Sequence, residues 1–242
     1  MNLLLLEADQ LRGTRAVLSA TQTRHARDVL RVVPGQDLRV GMLDGPRGVG
    51  RVVRIDDSLE LECAFEPHLP PVPDIDLLLA LPRPKVMRRL WAQLAALGVG
   101  HIILTNAARV ERNYFDTHVL EPALYRPLLV EGLQQAQDTR LPRVSIHRRF
   151  RPLVEDELDA LSPSDLRFAA HPSTDATPIG GAWTPGVARA LLAVGPEGGW
   201  DDFELRLLKD RGFSVVSLGP RTLRADTACV ALIAALRAGR DA

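Results

Sequence analysis

"LLAVGPEGGWDDFEL", residues 191–205, decides how the chain is read. An apolar run ends in Gly195-Pro196-Glu197-Gly198-Gly199 and gives way to Asp201-Asp202-Phe203-Glu204. The D-x-x-E spacing is that of a capping box, in which Asp201 accepts from backbone N–H and Glu204 reaches back. The predicted order is a strand ("ALLAV"), a glycine loop and a helix to about Arg211, closed by Gly212 in the left-handed region. A loop of this composition lets backbone come close to a ligand.

The same grammar recurs downstream. "FSVVSL" reads as a strand, Gly219-Pro220-Arg221-Thr222-Leu223-Arg224 as a loop, and a last helix starts near Asp226, its expected N-cap, and runs through "TACVALIAALRA". Ligands of open parallel sheets bind at the carboxyl ends of strands, so two such loops side by side form a pocket built largely of backbone. Neither loop carries the Gly-Lys-Ser/Thr of a phosphate loop. "GPEGGW" does not fit GxGxxG, and GxSxG is absent. A phosphate-binding nucleotide enzyme and a serine hydrolase are both disfavoured.

Upstream, "IDLLLAL", "HIILTN", "RVSIH" and "LRFAA" read as further strands, with helices over 85–97 and 122–137. Continuous apolar strands separated by helices predict a parallel sheet covered on both faces. Pro67, Pro70, Pro71 and Pro73 make a stiff linker, which predicts two domains, 1–69 and 74–242. The first reads as a small β-barrel of short strands ("LRVGMLDG", "GVGRVVRI", "SLELECAF") with one helix over Thr23–Arg31. In that helix Ala26, Val29, Leu30 and Val33 are expected to face inward and Arg24, Arg27 and Arg31 outward, with Pro34-Gly35 ending it.

Composition excludes several classes. The chain has 242 residues, 46% hydrophobic and 25% charged, as soluble globular proteins do. No apolar run approaches the roughly 18–20 residues of a membrane span. Glu7 and Asp9 interrupt "MNLLLLEADQ", which reads as a first strand and not as a signal peptide. Cys63 and Cys229 form no framework, so a reducing, cytoplasmic setting is expected. Six histidines without HExxH or CxxC spacing predict no metal site. The net charge of zero hides a basic stretch: between Leu11 and Arg54 nine arginines face three aspartates, +6 for the segment. Such a patch suits a polyanionic partner.

The paired loops carry a resemblance. "AVGPEGGW" and "GFSVVSLGPRTLRADTA" resemble the C-terminal signature of the RsmE family, SPOUT-class enzymes that methylate N3 of a uridine in small-subunit (16S) ribosomal RNA. "HARDVLRVVPGQDLRV", "LALPRPKVMRRLWAQLAALGVGHII", "QQAQDTRLPRV" and "HPS" are similar to further family segments, so the likeness spans nearly the whole chain. It implies a PUA-like RNA-binding barrel, then a SPOUT α/β domain with a trefoil knot. It also implies S-adenosylmethionine as cofactor and a homodimer with its active site at the dimer interface. The apolar stretch Ala228–Leu236 is read as support for the dimer. Ala96, Gln134–Asp138 and Ala225-Asp226 depart from the family pattern, which bears on the RNA target. Another RNA, or an RNA-binding relative without turnover, are the competing readings.

By the same resemblance His171, Gly195, Glu197, Gly199, Leu218, Gly219, Pro220 and Leu223 would line the cofactor site. Methyl transfer is an in-line displacement that gains most from positioning. The N3 proton must leave, which puts negative charge on the uracil ring, and Arg224 is the candidate fixed cation. Its ordinary alternative is a salt bridge to Glu197 or Asp226. Glu197 is expected to shape its loop through backbone N–H groups. No general base is legible, Asp226 being read as a helix cap. Arg24, Arg27 and Arg31 suit RNA phosphates, against the alternative of a solvated face.

Overall fold

The computed structural model describes residues 3–173 and 176–240. The chain divides into two compact units. One comprises the chain up to Val72 together with Val130–Leu141, the other Pro73–Leu129 and the chain from Pro142 onward. The proline linker thus carries the first boundary, and a segment from the middle of the sequence joins the first unit.

The first unit is a curled six-stranded sheet in the order β1-β4-β5-β6-β3-β2. Its strands are β1 (Leu4–Leu6), β2 (Leu11–Arg12), β3 (Arg15–Val17), β4 (Asp37–Met42), β5 (Arg47–Ile55) and β6 (Leu59–Phe65). Side chains alternate across a strand: Leu38 and Val40 of β4 and Leu59, Leu61 and Cys63 of β6 point into one core with Leu6, Ala16 and Val52. The segment after Val130 completes this unit. Leu3 N–H donates to the Gln134 carbonyl at 3.0 Å, and buried Thr139 donates its hydroxyl to the Gly45 carbonyl at 2.6 Å.

The helix expected in this unit, α1 (Ala20–Asp28), differs from expectation. It starts earlier, on a capping box between Ser19 and Gln22, and stops before Val29. Arg31 then takes a left-handed conformation, φ 50°, and Val32 N–H reaches back to the Ala26 carbonyl at 3.2 Å. That turn shifts the inward register by one residue. Val32 is buried, while Val29, Leu30 and Val33, expected in the core, are exposed. Arg24 and Arg27 keep an outward helical face. Arg31 is exposed but lies outside the helix.

The second unit is a seven-stranded parallel sheet, β11-β13-β10-β12-β7-β8-β9. Its strands are β7 (Ile75–Ala80), β8 (Val99–Thr105), β9 (Arg143–His147), β10 (Leu166–Ala170), β11 (Thr177–Pro178), β12 (Ala190–Val194) and β13 (Ser214–Ser217). Every residue of β7 and β12 is buried, the pattern of strands covered on both faces. The main helices are α2 (Pro84–Ala96) and the first half of α3 (Pro122–Ala136), whose residues from Val130 on belong to the first unit. Between β9 and β10 run α4 (Phe150–Pro152), a π-helical turn (Leu153–Glu157) and α5 (Leu158–Leu161), followed later by α6 (Asp202–Asp210) and α7 (Ala225–Arg240). In α2, Met87, Leu90, Trp91, Leu94 and Ala95 form the buried stripe at helical spacing.

β13 lies beyond β10 while β12 lies between β10 and β7, so the chain crosses the sheet twice near its end. There α7 packs backbone to backbone on the 3-10 turn Ile179–Gly181: a Cβ on Gly239 would stand 2.2 Å from the Gly180 carbonyl oxygen. These tightly packed crossings lie in the carboxyl-end region where the resemblance places the knot.

The strands' amino ends hold a buried charge. Asp76, 0% exposed, receives Arg189 Nε at 3.0 Å and Nη2 at 2.7 Å, and the Ser162 hydroxyl at 2.7 Å. Arg237 and Arg240 pair with Asp74 nearby.

Candidate functional site

The site is built where β12, β10 and β13 end. β12 runs into Gly195, on which a Cβ would stand 3.1 Å from the Trp200 backbone nitrogen and 3.2 Å from its ring. The Gly199 N–H donates to the Pro196 carbonyl at 2.8 Å, and Gly199 sits at φ 73°, so the loop folds as a tight turn that favours glycine. Buried Trp200 then packs on Phe150, ring centroids 5.4 Å apart.

The capping box is present as the spacing predicts. Asp201 accepts from Glu204 N–H at 2.7 Å, and Glu204 accepts from Asp201 N–H at 2.9 Å. Glu204 does more than close the box. Its second carboxylate oxygen accepts from Ala108 N–H at 2.6 Å, tying α6 to the loop after β8. In that loop Arg109 donates to the Gly198 carbonyl and lays its stem along Gly198. No sequence signal points to these contacts, because Arg109 lies 89 residues from its partner. Since Glu204 is buried and serves two N–H groups, Glu204→Ala strands both donors. The expected cost is about 2–3 kcal/mol of stability. Urea denaturation reads it, and an unchanged midpoint would remove Glu204 from this role.

The second loop is held locally. Ser217 Oγ accepts from Gly219 N–H at 3.0 Å, with Gly219 at φ 109°. The Arg224 carbonyl accepts the first helical bond of α7, from Ala228 N–H at 2.8 Å, which makes Arg224 the capping residue. Asp226, read as the cap from sequence, instead lies inside the first turn. Its carboxylate accepts from Arg89 at 2.7 Å, a bond that holds its pKa below the usual carboxylate range.

Both loops face one cleft of about 880 Å³, including space open to solvent. Of the residues expected at the cofactor, His171, Gly195, Glu197, Gly199, Leu218, Gly219 and Leu223 all line it. Pro220 lines an adjoining hollow with Leu218 and Gly219. Val194, Val216, Ala228 and Leu232 give it an apolar floor. His171 aims a buried Nδ1 with no hydrogen-bond partner. Burial, then Lys209 and Arg109, holds its pKa below the ordinary histidine value, so the imidazole is neutral at pH 7.

Two charged residues sit differently from expectation. Glu197 is exposed and makes no side-chain hydrogen bond among the described residues, so it does not brace its loop. Arg224 is exposed and lines neither hollow. Its two proposed partners are otherwise disposed, Asp226 being taken by Arg89 and Glu197 standing alone. In the final helix Cys229, Leu232, Ile233 and Leu236 are buried in the chain's own core, while Val230, Ala231, Ala234 and Ala235 stay partly or fully exposed.

Tyr114, in the 3-10 turn after β8, donates its hydroxyl to Glu111 at 2.8 Å. Its pKa is raised by burial and by Glu111. Arg83 opposes and Glu197 adds to the rise, which places both charges within electrostatic reach of the ring. No helix is long and apolar enough to cross a membrane, and no cluster of three or more potential metal ligands occurs among the described residues.

The family model described as an RNA methyltransferase domain matches residues 69–237. The chain is 29% identical over 254 residues to ribosomal RNA small subunit methyltransferase E of Treponema pallidum, covering 100% of this chain and 92% of that protein. It is 29% identical over 245 residues to the protein of that name from Synechocystis, covering 97% and 77%. In fold it superposes on the Neisseria gonorrhoeae small subunit methyltransferase E, a structure bound to S-adenosyl methionine, with TM-score 0.79 and 22% identity over 98% and 97% of the two chains. A probable rRNA-methyltransferase from Porphyromonas gingivalis gives TM-score 0.81 at 18% identity over 100% and 99%. The fold is thus a PUA-like curled sheet followed by a SPOUT α/β domain.

Proposed function

The chain belongs to the RNA methyltransferase domain family, and from that premise we propose that it methylates N3 of a uridine in small-subunit ribosomal RNA, with S-adenosylmethionine as donor. The observation that carries the reading is the cleft formed by both glycine loops over an apolar floor, with His171 in its lining. The residues fit the cofactor. Backbone groups at Gly195, Gly199 and Gly219 can meet its polar edges, the floor of Val194, Val216 and Leu232 can take its base, and His171 offers the remaining polar contact. When bound, S-adenosylmethionine supplies a methyl group already activated by its sulfonium.

The protein's part is positioning and charge. The first turn, fixed by the Glu204 and Arg109 contacts, and the second, held by Ser217, keep the cleft in shape before anything binds, which lowers the ordering cost on binding. Arg224, exposed at the start of α7 beside the second loop, supplies a cation for the anion that forms as N3 loses its proton. In the first unit Arg24 and Arg27 on α1, with Arg31 in the following turn, contact RNA phosphates. The protein acts in the cytoplasm as a homodimer, about twice the chain's 26.5 kDa in light scattering.

Primer extension on small ribosomal subunits tests the activity, because a methyl on N3 blocks the Watson–Crick edge and stalls reverse transcriptase. A cofactor-dependent stall at one uridine is expected. Heat of cofactor binding without any stall would point to another RNA. Neither heat nor stall would leave an RNA-binding relative without turnover.

A further inference from the structure

The arginines of the second unit differ between the two ends of its parallel sheet. At the strands' amino ends four are held by carboxylates, Arg189 by Asp76, Arg237 and Arg240 by Asp74, Arg167 by Asp159, while Arg143 donates to the Leu161 carbonyl. At the carboxyl ends, Arg83 follows β7, and Arg109 and Arg112 follow β8. All three are exposed, and none has a carboxylate partner among the described residues. Arg89 and Arg148 at that end do have one, Asp226 and Asp116, so acidic side chains are within the region but do not reach these three.

Two of the three, Arg83 and Arg112, lie close to one aromatic ring. Tyr114 belongs to the same 3-10 turn as Arg112, lies within electrostatic reach of Arg83 and Glu197, and has its hydroxyl occupied by Glu111. Arg109 connects this rim to the cleft, since it donates to Gly198 and its charge is felt at His171. The three arginines outnumber the two carboxylates beside the ring, Glu111 and Glu197, and the surplus positive charge favours a polyanion laid across the rim. An aromatic ring among guanidinium groups, beside a pocket where chemistry occurs, matches a single strand: phosphates take the cations and an unstacked base takes the ring. A paired base could not reach the cleft without leaving its stack.

We infer that this rim seats the acceptor strand of the RNA, with Arg83 and Arg112 on phosphates flanking the target uridine, Tyr114 stacked on a base, and Arg109 holding the Gly198 wall beside it. The inference rests on the cleft being the methyl-donor site. It assigns the second unit its own RNA contacts, apart from the arginines of α1.

The test uses the full chain and a fluorescein-labelled oligouridine of about 12 nucleotides, a length within the usual single-strand site sizes. Anisotropy is read over a range of salt, with calorimetry of S-adenosylmethionine on every variant. Arg83→Gln/Arg112→Gln keeps the side-chain stems and removes the charge. It is expected to raise Kd about tenfold and to flatten the slope of log affinity against log salt by about 1.4, two phosphate contacts at roughly 0.7 each. Tyr114→Ala is expected to weaken binding about tenfold, and Tyr114→Phe, which keeps the ring, to stay within about twofold. Cofactor heat should be unchanged in all of them. An unaltered slope in the double variant with cofactor heat intact would overturn the seat, and so would equal losses for Tyr114→Phe and Tyr114→Ala. Loss of cofactor heat in the unaltered protein would instead overturn the donor-site reading.

Discussion

Arg189→Ala is expected to cost about 3–5 kcal/mol of stability, the largest loss foreseen for any single side chain. Asp76 is 0% exposed and relies on Arg189 for two charge-assisted bonds, Nε at 3.0 Å and Nη2 at 2.7 Å. Removing the guanidinium leaves a carboxylate in the sheet with only the Ser162 hydroxyl, at 2.7 Å, to solvate it. The cost is that of an uncompensated buried charge and exceeds the net worth of the pair. Two controls separate these quantities. Arg189→Lys keeps the charge but cannot bind both oxygens, so an intermediate loss is expected. Asp76→Leu/Arg189→Met removes both charges and should recover most of the stability, because a buried pair replaced by apolar groups is often neutral. Thermal unfolding should fall by roughly 6–20 °C in the single variant. A shift as small as that of an exposed ion pair would show that Asp76 finds another partner.

The sequence disclosed the second unit better than the first, for a physical reason. Strands covered on both faces need apolar residues throughout, so "IDLLLAL" and "ALLAV" announce β7 and β12 directly. The capping box at Asp201 and the left-handed Gly212 are local signals, and both hold. In the first unit the apolar spacing of α1 misled, because the register shift is made by Arg31 at φ 50°, a conformation no glycine advertises there. The residues from Val130 to Leu141 gave no local sign of joining that unit, since Gln134 and Thr139 bond to residues far away in sequence. The cleft was legible as two loops, yet the contacts that fix one of them, Arg109 to Gly198 and Ala108 to Glu204, were not. Spacing rules describe neighbours along an element, and these pairs meet only through the sheet.

Arg224→Ala is expected to lower kcat by about 10²–10³-fold while leaving cofactor affinity near its original value, the loss seen when one preorganised charge-stabilising group is removed. The structural alternative for this residue was a salt bridge tying the loops together. That bridge is not made: Asp226 is bound to Arg89 at 2.7 Å, and Glu197 stands exposed without a partner among the described residues. What Arg224 gives its own fold is a backbone carbonyl, accepting from Ala228 N–H at 2.8 Å, and alanine supplies that carbonyl equally well. The substitution should therefore leave stability nearly unchanged, and any fall in rate would belong to the chemistry. The guanidinium also lies outside the residues lining the cleft, so a role in holding the cofactor is not expected. Single-turnover methylation of small ribosomal subunits, with cofactor calorimetry alongside, separates the outcomes. A lower rate at saturating cofactor and RNA supports charge stabilisation in the transition state. A raised KM for RNA with kcat preserved would move Arg224 to the RNA-binding rim, and a normal rate would leave it only its carbonyl.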